Sequence, residues 1–309
     1  MVSFSAILEI TMFVSCLGFL GNVFLIVSIL QNQLSRVKSF DLFLLGLAVA
    51  NLEEIIIVNI YDIIIHWTST TATATGTLAC HLLKFLTVFG EISSILFTVL
   101  ISIFRYQKLR DASKRGNLSI FLDSIRLAWM VSGVCVALSF LLSVPIFVIS
   151  PHGHTANITR NSSVCPPDFF QCSQNDCPTL NQFFKYLFLL VCNLLPLIIV
   201  TVTGILIIRV LMKQRRKVQP VGSVSGSSHF SRKSTHMKLQ RSTIAVLAAM
   251  GLFQVNWTLY LIFHLTLSTI EFPFWAEIEL LISTSYASIS PYVYGIGTNL
   301  FTLKNLTKK

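Results

Sequence analysis

Seven apolar blocks, each long enough to cross a bilayer, constrain this chain more than any other feature of its sequence. They run over about 6–30, 40–65, 80–106, 125–149, 183–212, 242–268 and 276–297. A helix spanning the hydrocarbon core needs about 20 mainly apolar residues, so the blocks predict an all-α bundle of seven transmembrane helices. Charge supports this: only 12% of the 309 residues are charged and the mean hydropathy is +0.72. A soluble domain carries about 25% charged residues. The segment from Met1 to Glu9 holds no Lys or Arg, so it lacks the basic start of a removable signal peptide. The first block is therefore expected to remain as a membrane helix.

Lys and Arg accumulate on the cytoplasmic side of membrane proteins. Here they fall in the segment after the first block (Arg36, Lys38), after the third (Lys108, Arg110, Lys114, Arg115) and between the fifth and sixth (Lys213, Arg215, Arg216, Lys217, Arg232, Lys233, Lys238, Arg241). Lys304, Lys308 and Lys309 mark residues 298–309, expected to be a short cytoplasmic tail. The opposite side has Arg160 as its lone clear case, so all the heavily basic segments fall on one side, as a seven-span topology requires. The N-terminus is expected outside the cell and the chain in the plasma membrane. The net charge of +10 is a sorting signal that also suits anionic inner-leaflet lipid, and calls for no nucleic-acid partner.

The segment 150–182 is the longest connection on the outer side. It carries Cys165, Cys172 and Cys177 and the sequons at Asn157 and Asn161, both marks of an exposed loop in an oxidising compartment. Cys80 opens the third block on the same side. Four extracellular cysteines allow three pairings, so Cys80 is expected to bridge to one of Cys165, Cys172 and Cys177, with the partner open. Cys16, Cys135 and Cys192 lie inside apolar blocks and read as packing residues. Residues 219–231, with Pro220, Gly222, Gly226 and several serines, read as a flexible cytoplasmic linker.

Ionisable residues inside a membrane are costly and mark functional sites. Helix two holds Asn51, Glu53, Glu54 and Asp62; helix three holds Lys84 and Glu91; helix six holds Gln254, Asn256 and His264; helix seven opens with Glu277 and Glu279. Lys84, Val88 and Glu91 fall at i, i+4 and i+7, on one helical face. The charged members lie in the outer half, where an extracellular ligand arrives. Asp62, Lys84, Val88, Glu91, His264, Glu277 and Glu279 are therefore the candidate ligand contacts. The competing structural reading is that Lys84 pairs with a carboxylate and ties helices together. No cofactor, metal or catalytic role is expected. The chain has no His-Glu-x-x-His helix, Gly-x-Ser-x-Gly elbow or Walker loop. A small-molecule transporter is the alternative from another class, but no repeated halves are evident.

Several short motifs occur in order along these blocks: Gly21-Asn22, Leu47-Ala48-Val49-Ala50-Asn51, Phe104-Arg105-Tyr106, Trp129, Pro196 and Ser290-Pro291-Tyr292-Val293-Tyr294. With Arg105 placed 25 residues after Cys80, the set resembles the class A G-protein-coupled receptors across almost the whole chain. The resemblance implies a rhodopsin-like bundle that binds a small extracellular molecule and activates a heterotrimeric G protein through Arg105, Tyr106, Pro291 and Tyr294. Asn51 stands where most of that family has an aspartate that helps hold sodium, Phe104 replaces the carboxylate beside the arginine, and helix six lacks the family's hinge proline. The run Phe104-Arg105-Tyr106-Gln107-Lys108-Leu109-Arg110-Asp111-Ala112, with the outer sequons and Ser290-Pro291, resembles the vomeronasal type 1 receptors and the fish olfactory receptors related to them. That implies an odorant or pheromone ligand and a place in sensory neurons. The bitter taste receptors are the other subfamily considered, but their helix-two and helix-seven signatures are not apparent here.

Overall fold

The computed structural model describes residues 4–33, 38–71, 77–114, 123–148, 179–217, 228–266 and 275–298. The described residues are helical apart from short caps and turns, and they form seven spans. The first is Phe4–Gln33, the second Ser39–Thr71 and the third Thr77–Lys114. The fourth, Ile125–Ser143, ends in a 3₁₀ turn over Val144–Phe147. The fifth is compound: an α-helix Thr179–Phe188, a π-helical turn Leu189–Leu194 and a second α-helix Leu195–Lys217. The sixth is Ser228–Thr266 and the seventh Trp275–Thr298. The fold is thus the all-α seven-helix class expected from the apolar blocks.

The longest extensions beyond the apolar blocks on the cytoplasmic side are those of the third and sixth spans. The third continues past Tyr106 to Lys114, and the sixth begins at Ser228, inside the stretch expected to be a linker. Apolar length marks only the part in hydrocarbon. Lys, Arg, Gln and Met are good helix formers in water, so the helices continue beyond it. Among the described residues, six helices are long and apolar enough to cross a membrane by composition. The seventh reads as less apolar because Ser283, Thr284, Ser288 and Ser290 turn its interior face polar, all of them buried.

The third span is the axis of the bundle: 72% of its apolar window is buried, against 22% for the fourth. It packs against the second, fourth and fifth spans, while the seventh packs against the first, second and sixth. Small residues allow close approach where lipid supplies no hydrophobic drive between helices. A Cβ on Gly18 would lie 2.7 Å from the Ser288 backbone, and one on Gly297 would run into the Ala245 side chain. Trp257, Tyr286, Tyr294, Phe43, Phe104 and Phe253 fill the core. Phe13, Leu20, Met130, Leu141, Val255 and Leu265 point outward, as suits a lipid-facing surface.

The prolines act locally. In the fifth span Pro196 lacks the N–H an α-helix would use, and the preceding turn widens so that the Leu195 N–H bonds back to the Leu190 carbonyl, five residues away. In the fourth, Pro145 sits in the tighter closing turn.

Candidate functional site

Polar side chains are stacked in three levels down the bundle. The outermost joins the third, sixth and seventh spans. Glu279 Oε1 faces Lys84 Nζ at 4.0 Å and His264 Nε2 at 3.7 Å. These are electrostatic contacts rather than short hydrogen bonds. The His264 ring is stacked on Tyr260, with centroids 4.1 Å apart, and its Nδ1 lies 3.1 Å from the Tyr260 carbonyl oxygen. Glu91, two turns below Lys84, interacts electrostatically with Lys84, Glu279 and His264. It is 5% exposed, and its Oε1 has no hydrogen-bond partner.

Four of the expected contacts, Lys84, Glu91, His264 and Glu279, are therefore brought together. Lys84 also faces a carboxylate, as the helix-tying reading requires. Val88 shares their helix but packs into an apolar cluster with Phe85, Ile92, Ile146 and Cys192, so it supports the site rather than facing a polar group. Asp62 and Glu277 lie on the second and seventh spans, and their side chains are outside the described residues. Cys165, Cys172, Cys177, Asn157 and Asn161 also lie outside them. Cys80 is disulfide-bonded.

The second span adds two carboxylates that were recognised as costly but not as contacts. Glu54 Oε1 accepts from Ser283 Oγ at 2.8 Å. Both Glu53 oxygens are buried without a partner, and the side chain occupies the space that a Cβ on Gly90 would need.

One level deeper, Asn51 ties four spans together. Its Nδ2 donates to Asn22 Oδ1 (3.3 Å) and Ser290 Oγ (3.0 Å), and its Oδ1 accepts from Ser94 Oγ at 2.6 Å. Asn22 Nδ2 donates in turn to the carbonyls of Gly18 and Ala287. A sodium ion would need oxygen ligands here, but Asn51 brings an amide nitrogen, and its oxygen already accepts from Ser94. The residues do not fit that ion. Thr98 and Tyr286 share a 2.7 Å hydroxyl contact just beneath.

At the inner level, Arg105 Nη2 donates to Ser242 Oγ on the sixth span at 2.7 Å. The guanidinium lies over the Phe40 ring, 3.5 Å from its centroid, and interacts electrostatically with Asp41 and Tyr294. Phe104, which stands in place of a carboxylate beside the arginine, is buried and packs against Phe40 and Phe43. Arg105 is thus held by a hydroxyl and an aromatic face, with the Asp41 carboxylate and Tyr294 acting on it electrostatically. Arg105 and Tyr294 both lie at this inner level. Tyr106 is half-buried on the third span, and Pro291 lies inside the seventh helix without ending it.

Ser242 and Phe40 carry no sequence signal, because serine and phenylalanine are ordinary membrane-helix residues. Asn193 did carry one: it is an amide within an apolar run, yet both its side-chain polar atoms are buried and unpartnered.

The family described as "7 transmembrane receptor (rhodopsin family)" matches residues 21–294. Over 300 residues the chain is 25% identical to a gonadotropin-releasing hormone receptor of Octopus vulgaris, an alignment covering 91% of this chain and 68% of that relative.

Proposed function

This chain belongs to the rhodopsin family of seven-transmembrane receptors, and we propose that within it the chain is a chemosensor for a small extracellular molecule. Family membership makes it a multi-pass plasma-membrane receptor, not an enzyme, whose partners are an extracellular ligand and a heterotrimeric G protein. The finer reading, an odorant or pheromone receptor of the vomeronasal type 1 kind in sensory neurons, is carried by the outer polar level. Lys84, Glu91, His264 and Glu279 are buried among the spans, at a depth suited to a small molecule, and they join the helices that must shift in signalling. A ligand favours the signalling conformation only by the free energy it gains there over the other state. Contacts linking three spans provide such a difference. The Phe104-Arg105-Tyr106 run and the sequons at Asn157 and Asn161 add to this reading.

The test is a G-protein activation assay in cells expressing the full chain, with surface staining as a control. Small odorants should raise nucleotide exchange, and Arg105→Ala should abolish most of the response while leaving the protein at the surface. Full activation by the Arg105 variant would remove the signalling role from that residue. A second reading, a hormone receptor, is favoured by the likeness to the octopus protein. Activation by gonadotropin-releasing hormone but by no odorant would establish it in place of the first.

A further inference from the structure

Beneath the Lys84–Glu279–His264 contacts lies a layer of buried polar atoms whose hydrogen-bonding capacity is unused. A helix rises 1.5 Å per residue, so Glu91 lies about 10 Å deeper than Lys84 on the third span. Trp257 lies the same number of residues below His264 on the sixth, which runs in the opposite direction. Cys192 on the fifth span packs with Val88 and Ile92 and interacts electrostatically with Glu91, which places its neighbour Asn193 at this depth too. Glu91 Oε1, Asn193 Oδ1 and Nδ2, and Trp257 Nε1 are all buried without a hydrogen-bond partner. Asn193 is 2% exposed and Trp257 1%. A buried polar atom left unmet costs about 1–3 kcal/mol. Partnerless polar atoms occur elsewhere in the bundle too, on Ser15 and Ser132 for example, but here three such side chains from three spans lie at one depth, in an interior where most are satisfied.

The charges at this end of the bundle are unequal. Glu53, Glu54, Glu91 and Glu279 are partly or wholly buried carboxyl side chains; Lys84 and His264 are packed against them, and His81 and Lys185 are half-buried at the outer ends of the third and fifth spans. Lys84 and His264 both face Glu279 and also interact electrostatically with Glu91, so two cations are shared among four carboxyl groups. An anionic ligand would add to the excess of acid, whereas a cation would offset it.

We infer that this layer binds the protonated nitrogen of a small organic amine, with Glu91 Oε1 accepting from the ammonium and the Asn193 amide meeting a polar group elsewhere on the ligand. The ligand approaches from the extracellular ends of the spans, past Lys84 and Glu279. The Trp257 ring, in contact with Phe253 and Tyr260, forms the floor. Trp257 Nε1 remains a donor for an oxygen of the ligand. This deepens the small-molecule reading above and rests on it.

The experiment uses cells expressing the full chain and reads nucleotide exchange. The probes are odorant-sized amines, each paired with the alcohol and the carboxylic acid of the same skeleton; 2-phenylethylamine, 2-phenylethanol and phenylacetic acid form one such set. At least one amine should activate where its alcohol and acid do not. Glu91→Gln should raise the half-maximal concentration at least about tenfold, and Glu91→Asp, which keeps the charge, should recover part of that loss. Asn193→Leu should weaken the response at unchanged surface level. Activation by acids or alcohols without amines, or an amine response unaltered in Glu91→Gln, overturns the amine assignment while leaving the receptor reading intact. A silent panel in a chain that still drives agonist-independent exchange also overturns it. A chain with neither agonist-independent exchange nor any response in the panel removes the receptor reading beneath it.

Discussion

Asn51 uses one amide nitrogen for Asn22 and Ser290 and one oxygen for Ser94, so a single side chain fixes the mutual register of four spans. Interhelical hydrogen bonds in membranes contribute about 0.6 kcal/mol each on average, and losing three costs about 2 kcal/mol. Asn51→Leu should therefore lower the melting temperature of the detergent-purified receptor by several degrees. Replacing sodium chloride with choline chloride should leave the wild-type melting temperature unchanged, since a ligand stabilises only through a site it occupies. Sodium-dependent stabilisation of the wild type would show that the Asn51 hydrogen bonds give way to an ion. Arg105 behaves differently, because its hydrogen bond joins the third span to Ser242 on the sixth and must break if the inner ends of those helices part. Ser242→Ala should raise agonist-independent G-protein activation several-fold. The cation–π contact with Phe40 remains in that variant, and such contacts are worth about 0.5–2 kcal/mol, so Phe40→Ala/Ser242→Ala should exceed either single change. Basal exchange in membranes at matched receptor levels gives the readout, and equal basal rates in all four proteins would mean that these contacts restrain nothing.

Helix number and type follow from the apolar runs, and that much was legible in the sequence. The ends were not, because the third and sixth spans continue into water on ordinary helix propensity. Nor was the π turn at Leu189–Leu194, which follows from how Pro196 is accommodated rather than from any residue inside the turn. In the site, Lys84, Glu91, His264 and Glu279 were legible because charge in hydrocarbon is conspicuous. Ser94, Ser242 and Ser290 were not legible as network members, since a serine on a membrane helix most often bonds its own backbone, as Ser139 does with Cys135. The small residues at helix contacts carry a prediction at this scale. Gly18 faces the seventh span, with Ser288 backbone within 2.7 Å of where a Cβ would sit, whereas nothing lies within 4 Å of one at Gly133 on the fourth. Gly18→Ala should destabilise by about 1–3 kcal/mol, as overpacking does. Gly133→Ala should be neutral or stabilising by up to about 1 kcal/mol, because alanine is the better helix residue. Thermal unfolding of both variants in the same detergent tests this, and equal shifts would contradict the packing.

The molecule as a whole is apolar outside and polar along its axis. Trp129, Met130, Phe183 and Leu265 are exposed, while Asn22, Asn51, Ser94, Thr98, Arg105 and Ser290 are buried. Such a surface suits lipid, where side chains gain nothing by turning inward and unmet polar groups gain most. The bundle alone, however, does not say which end faces the cell interior. Orientation comes from the basic segments on one side and from the sequons and cysteines on the other, and these lie largely in connections between the helices. Two independent signals therefore predict one topology: Lys and Arg inside, Asn157 and Asn161 outside. An N-terminal epitope tag should stain intact cells, and a C-terminal tag should stain only permeabilised ones. Enzymatic removal of N-linked glycans should increase the mobility of the wild type on a gel, and Asn157→Gln/Asn161→Gln should remove that shift. The sequons at Asn117 and Asn305 use the same three-residue pattern but sit on the basic side. A glycan at either would reverse the orientation and place Arg105 and Ser242 where no G protein could reach them.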